Sequence, residues 1–270
     1  MTQPSPSAGP TSRPLSLITG ASDGIGRELA RLMAARGHDL ALAARSRDRL
    51  ESLADDIAAT GRPRPLVLVA DLADPAAIEN LVAGVEAAGA HVEILVNNAG
   101  YGLIGPARTL DRQNQLGVAD LNIRALTDLT LRLLPGIVAA RGRILHVASI
   151  GSFLPGPYMA VYYASKAYVL SFGEALSKEL ESSGVTVTTL CPGPTVTGFQ
   201  ARAGMSAGTM SKMPSMSARA VAEAGYAGMM AGRRVVVPGW RNKLVSILAP
   251  LTPRGLLLGA VARMQESRKG

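Results

Sequence analysis

Within AVYYASKAYVL, residues 160–170, two tyrosines stand side by side and a lysine follows. The chain carries 23 Arg against 5 Lys, so a lysine in any given slot is improbable. A phenol and an ammonium make a proton-transfer pair where they meet. Residues i and i+4 share a helix face, so Lys166 can sit near Tyr162. Tyr163 is turned by about 100° around the same helix and reads as a packing aromatic. A free phenol titrates at about 10. A nearby ammonium stabilises the phenolate and draws that value toward neutrality. The expectation is a tyrosine with a lowered pKa.

Such a pair needs a rigid frame. The 270 residues are 47% hydrophobic, 18% charged and 4% aromatic, which suits a large aliphatic core and excludes wholesale disorder. The single cysteine, Cys191, forms no internal disulfide and no cysteine metal cluster; it reads as a structural thiol in a reducing, cytoplasmic compartment. His38, His91 and His146 lack metal-type spacing, so no metal site is expected. His146, inside a strand pattern, reads as a satisfied buried histidine. The net charge of +8 is dispersed and has almost no aromatics beside it to stack bases, which argues against nucleic acid and for a small anionic ligand. The opening MTQPSPSAGPTSRP lacks the apolar core of a signal peptide, and residues 1–13 read as a disordered tail.

Short aliphatic runs alternate with helical patterns along the whole chain. Strands are predicted over 14–19, 39–44, 65–70, 92–97, 143–149, 185–191 and 233–238. Helical patterns lie between them, including a long one over about 111–139 and another over 158–182. Continuous aliphatic runs are buried on both faces, as in a parallel sheet covered by helices. Unbroken strand–helix alternation implies right-handed crossovers and a doubly wound α/β fold. No linker divides the chain, so it reads as one domain.

The first strand ends in TGASDGIG, Thr19 to Gly26, where a helix begins. Gly20, Gly24 and Gly26 permit a tight turn and close approach of backbone to a pyrophosphate, and the helix N-terminus offers N–H groups to phosphate. Other polar or turn residues fall at strand ends: Asp71-Leu72, the NNAG of 97–100, and Ser149. Each alone is an ordinary turn or cap residue; together they converge on one sheet edge.

In this order the motifs resemble the short-chain dehydrogenase/reductase family, over about residues 14–240. TGASDGIG, Asp71-Leu72, NNAG, Asn122, Ser149, Tyr162 with Lys166, and CPGPTVTGF follow the family sequence of motifs. The segment YMAVYYASKAYVLSFGEAL is similar to a subgroup of broad-specificity bacterial oxidoreductases. The resemblance implies a single-domain Rossmann-type fold with a mostly seven-stranded parallel sheet and helices on both faces. It implies hydride transfer between a nicotinamide and a carbonyl or alcohol. Tyr162 becomes the acid–base, Ser149 holds the substrate oxygen, Lys166 assists, and Asn122 completes a relay. Cofactor contacts fall on Gly20, Ser22, Asp23, Gly24, Ile25, Gly26, Arg45, Asp71, Leu72, Asn98, Ala99, Gly100, Tyr162, Lys166, Pro192, Gly193 and Thr197. A non-catalytic NADP(H) sensor or scaffold on the same fold is the alternative.

The second strand ends in Ala44-Arg45-Ser46-Arg47, with no acid for ribose hydroxyls and an arginine suited to a 2′-phosphate. NADP is therefore expected over NAD. Asp23, rather than a basic residue, precedes Gly24, and Arg47 either supports Arg45 or is a solvated charge. Phe153, Leu154 and Met159, near Ser149 and Tyr162, suggest an apolar or amphipathic substrate. The resemblance makes the methionine- and glycine-rich stretch 198–216 the substrate lid; its composition also fits a disordered surface loop. Residues 243–270 form an apolar and basic extension. It packs on the 14–242 domain or a partner subunit, or lies on an anionic membrane surface. The family resemblance implies a homodimer or homotetramer.

Overall fold

The computed structural model describes residues 12–199, 203 and 215–266. Most of the expected tail and of the expected lid, with Met205, Met210 and Met213, lies outside the described residues.

The strands are β1 (Arg13–Thr19), β2 (Leu40–Ala44), β3 (Leu66–Val69), β4 (Ala90–Asn97), β5 (Arg143–Val147), β6 (Thr186–Leu190), β7 (Thr195–Val196), β8 (Met216–Ser217) and β9 (Val235–Val236). The helices are α1 (Gly24–Ala35), α2 (Arg47–Ala58), α3 (Pro75–Ala87), α4 (Arg112–Ala119), α5 (Leu126–Ala139), α6 (Ala160–Glu179), α7 (Ala218–Met230), α8 (Trp240–Leu248) and α9 (Arg254–Glu266). Seven strands form one parallel sheet in the order β3-β2-β1-β4-β5-β6-β9, and β7 and β8 pair separately. The chain winds outward one way from β1 and the other way from β4. The carboxyl ends of those two strands meet at the switch point, where open sheets of this kind bind ligands.

The sheet is apolar on both sides, which is why its strands read as unbroken aliphatic runs. Leu15, Leu17, Ala41, Val92 and Leu95 face one core with Ile78 and Leu81 of α3, Leu129 and Ile137 of α5 and Leu176 of α6. Ile18, Leu42, Ile94 and Val96 face the other with Leu29 and Met33 of α1, Leu50 and Leu53 of α2 and Val221 and Met229 of α7. Alternation of period two thus loads both layers.

Most strand ends shift by one or two residues from the sequence reading, and four differences have a structural cause. Arg13, placed there in the tail, begins β1: it is in register with Ala90 and its guanidinium meets Asp39 at 2.7 Å. α6 starts at Ala160 because Gly156-Pro157 precedes it and Tyr158 takes a left-handed φ of 65°. The seventh strand shrinks to two residues, ended by Pro238, which has no N–H for the ladder. The long helix is interrupted by a π-helical turn, Asp120–Ala125, between α4 and α5.

Under β4 and β5 lies a buried polar cluster. Asn97 Nδ2 donates to Thr130 Oγ1 at 2.8 Å and meets His146 Nδ1 at 3.2 Å. His146 is buried as expected but satisfied only at Nδ1: Nε2 has no hydrogen-bond partner among the described residues. Burial, and secondarily the charge of Lys166, pulls its pKa from 6.5 to about 3. An unfolded chain takes up a proton at this residue below about pH 6.5, and the fold resists until about 3. Stability from this site is therefore complete above pH 6.5 and drains away as pH falls, by about 1.4 kcal/mol per pH unit. Urea melts between pH 7 and pH 4 should show this slope, and it should flatten in His146→Gln. An equal slope in both proteins would contradict the assignment.

Candidate active site

The carboxyl end of β1 turns sharply at Gly20, with a φ of 66°. A side chain there would put its Cβ 2.7 Å from Asn98 Nδ2, so only glycine fits. Asn98 ties the turn to β4: its Nδ2 donates to the carbonyls of Thr19 at 2.9 Å and Gly20 at 3.2 Å. Thr19 Oγ1 in return accepts from the Asn98 and Ala99 N–H groups, each at 3.0 Å. Asp23 caps α1, accepting from the Gly24 N–H at 2.7 Å, which accounts for an acid at this place in the turn.

The π-helical turn carries Asn122, which is buried. Its Oδ1 accepts from Tyr101 N–H at 3.1 Å, and its Nδ2 donates to Tyr101 O and Ser165 Oγ, both at 2.9 Å. Asn122 thus clamps the segment after β4 to α6. Gly100 lies in the gap: a Cβ there would stand 2.9 Å from Asn122 Oδ1 and 3.3 Å from Lys166 Nζ.

Ser149 follows β5 and caps a short 3-10 turn, its Oγ accepting from Gly151 N–H at 3.1 Å. It lies beside the Tyr162 hydroxyl, close enough to act on the phenol's pKa. Lys166 is buried and donates to the Val147 carbonyl at 2.8 Å, with Nζ 6.0 Å from the Tyr162 ring centre. Burial lowers the Lys166 pKa from 10.5 to about 8. Burial likewise pushes the Tyr162 phenol up from 10.0 to about 12, against the opposing effect of Ser149. The expected lowering counts on the positive charge of an oxidised nicotinamide beside the ammonium; in the protein alone the ammonium is turned to a carbonyl, and desolvation decides. Tyr163 packs edge-on to Tyr162 with ring centres 5.9 Å apart, and its hydroxyl meets Gln265 Nε2 of α9 at 2.9 Å.

These groups share one cavity of about 930 Å³ at the sheet's carboxyl edge. Every residue read as cofactor-binding lines it except Gly26, which lies under the turn against Gly20 and Asn98. Asn122 stands behind the wall. Ser149 and Tyr162 line the cavity, but Phe153 and Leu154 do not; Phe153 packs beside Val169 and Cys191. Met159 is buried and opens onto a separate cavity of about 60 Å³ that touches Tyr162 from behind. The apolar side chain against Tyr162 is instead Phe199, whose ring centre is 5.3 Å from that of Tyr162, with Leu103 also lining the cavity; Tyr101 turns away, its hydroxyl donating to the Asn114 carbonyl at 3.0 Å. Cys191 is buried and its pKa is raised to about 12, chiefly by burial.

At the far end Ala44, Arg45, Ser46 and Arg49 line the cavity, and Arg45 lies 3.9 Å from Asp71. Arg47 turns to Glu51 at 3.7 Å. Arg49 was not legible beforehand, although Glu51 at i+4 from Arg47 was the available signal that Arg47 would be occupied.

The model of the short chain dehydrogenase family matches residues 15–207. The chain belongs to this family. The very-long-chain 3-oxoacyl-CoA reductase of Phaeosphaeria nodorum is 38% identical over 181 residues, covering 63% of this chain and 52% of the relative. The chain therefore spans about half the length of the curated relatives it matches. A short-chain dehydrogenase from Sphingobium yanoikuyae in complex with NADPH has a TM-score of 0.77 at 32% identity, over 88% of this chain and 94% of that one. The bulky-bulky ketone specific alcohol dehydrogenase of Comamonas testosteroni has a TM-score of 0.74 at 28% identity, over 89% and 94%.

The lining of the cavity suits a dinucleotide. A glycine turn and a helix N-terminus stand midway, arginines and Asp71 at one end, and Tyr162 and Lys166 at the other.

Proposed function

We propose that the chain is an NADP(H)-dependent oxidoreductase interconverting an apolar or amphipathic carbonyl compound and its alcohol. The observation that carries the proposal is the meeting of Ser149, Tyr162 and Lys166 in the same cavity as the glycine turn. A bound nicotinamide supplies or accepts the hydride. The protein handles the proton. With its pKa raised to about 12, Tyr162 holds its proton at neutral pH and can pass it to a carbonyl oxygen as the carbon is reduced. Ser149, beside the Tyr162 hydroxyl in the same cavity, orients that oxygen. Lys166, with a pKa of about 8, is mostly charged at neutrality; it offsets the phenolate left behind and would hold the ribose hydroxyls. Asn122 acts by holding Tyr101 and Ser165 in place.

Substrate class follows from the wall. Phe199 against Tyr162, with Leu103 in the same cavity, favours an apolar carbonyl, and the bulky-ketone specificity of the Comamonas testosteroni relative supports this reading. The NADPH bound to the Sphingobium yanoikuyae relative supports the cofactor, as do Arg45 and Arg49 beside an uncharged Ala44. A guanidinium meets a 2′-phosphate through paired, charge-assisted hydrogen bonds, where a carboxylate would repel it.

Tyr162→Phe should lower turnover by about a hundredfold or more while dinucleotide still binds, and Tyr163→Phe should be mild. Near-normal turnover in Tyr162→Phe would sink the assignment. A charged contact is worth roughly 1.5–3 kcal/mol, so Arg45→Ala should weaken NADPH by about one to two decades and leave NADH almost unchanged. Equal losses for both cofactors in parallel titrations, or a wild type that prefers NADH, would refute the cofactor choice.

A further inference from the structure

Helix α8 turns its apolar side to the outside. Trp240, Leu244, Ile247 and Leu248 are spaced i, i+4, i+7 and i+8 and so share one face. That face is exposed: Trp240 by 73%, Ile247 by 54%, and Leu251 just beyond it by 76%. The opposite side meets the body of the protein. Asn242 donates to the Pro238 carbonyl at 2.7 Å and lies against Gly193, and Ala249 is buried. At about 100° per residue, Arg241 and Lys243 fall on either edge of the apolar stripe. Leu256 and Leu258 on α9 are exposed as well. Nine of the fifteen most exposed large apolar side chains among the described residues fall in 240–264, so this surface is concentrated rather than scattered.

The charge of the same region is one-sided. Residues 224–266 contain six basic residues, Arg233, Arg234, Arg241, Lys243, Arg254 and Arg263, and one acid, Glu266 at the end of α9, which accepts from the Tyr158 hydroxyl. A two-fold contact with a second copy would press this predominantly basic surface against its own image. An anionic bilayer satisfies both features at once. The stripe enters the headgroup boundary, the basic side chains reach lipid phosphates, and Trp240 takes the interfacial position that tryptophan favours. No helix among the described residues is long and apolar enough to cross a membrane, so the contact is in-plane.

We infer that the α8–α9 face is a docking surface for an anionic lipid bilayer. It adjoins the catalytic helix. Gln265 of α9 is buried, donating to Tyr163 Oη at 2.9 Å and reaching Met159 Sδ at 3.5 Å. The inference stands apart from the reaction proposed above, and its test needs no turnover.

Trp240 is the sole tryptophan, so its emission reports this face directly. The full chain is mixed with vesicles of phosphatidylglycerol and phosphatidylcholine, and separately with phosphatidylcholine alone. Cosedimentation and a blue shift of Trp240 are expected with the anionic vesicles only, weakening as salt is added. L244Q/I247Q/L251Q should lower partitioning by about tenfold per residue replaced. R241E/K243E should abolish the preference for anionic lipid. All five positions are exposed, so unchanged thermal melting should accompany both losses. Failure of the wild type to bind, or binding unaffected by either set, would overturn the inference. So would a wild-type dimer that the leucine replacements dissociate, since a second copy would then be the occupant.

Discussion

A buried ammonium sets the terms for this site. Lys166 lies inside the protein with its charge donated to one backbone carbonyl, that of Val147. A cation in that position demands fixed neighbours, and several are supplied from distant parts of the chain. The end of β5 offers the acceptor. Ser152 donates to the Lys166 carbonyl at 2.7 Å, tying the turn after β5 to α6. Asn122 holds the neighbouring Ser165, and Gly100 leaves room for Nζ. The left-handed Tyr158 decides where α6 begins and hence which way its first turn faces. Parallel strands that end together bring these pieces to one edge.

The same burial explains the protonation pattern. Desolvation raises an acid and lowers a base, so Tyr162 at about 12 and Lys166 at about 8 move in opposite directions from one cause. The arrangement leaves the phenol protonated and the lysine near its titration range. A donor of that kind suits delivery of a proton to a carbonyl oxygen.

Much of this was readable from residue types. Two-sided aliphatic runs gave the parallel sheet, and glycine and polar residues at strand ends marked the cavity, because both follow from local patterns. What escaped reading depends on tertiary placement. A π-helical turn inside a helical pattern leaves the periodicity almost untouched, so the clamp made by Asn122 was invisible. Phe153 and Leu154 sit close to Ser149 in sequence, yet the 3-10 turn aims Phe153 into the core while Leu103 and Phe199 arrive from elsewhere. Arg49 points into the cavity only because α2 begins at Arg47. The direction faced by the apolar stripe of α8 required knowing which side the protein body occupies.

The central claim is that these buried groups perform nicotinamide-linked carbonyl chemistry. Its most direct test follows nicotinamide absorbance while the protein is mixed with NADPH and a panel of apolar ketones and aldehydes, with NADH in parallel. The account predicts NADPH consumption matched by alcohol formed on at least one apolar carbonyl, with NADH much slower. Tight NADPH binding without turnover on any carbonyl or alcohol would contradict it and would mark the protein as a nucleotide sensor.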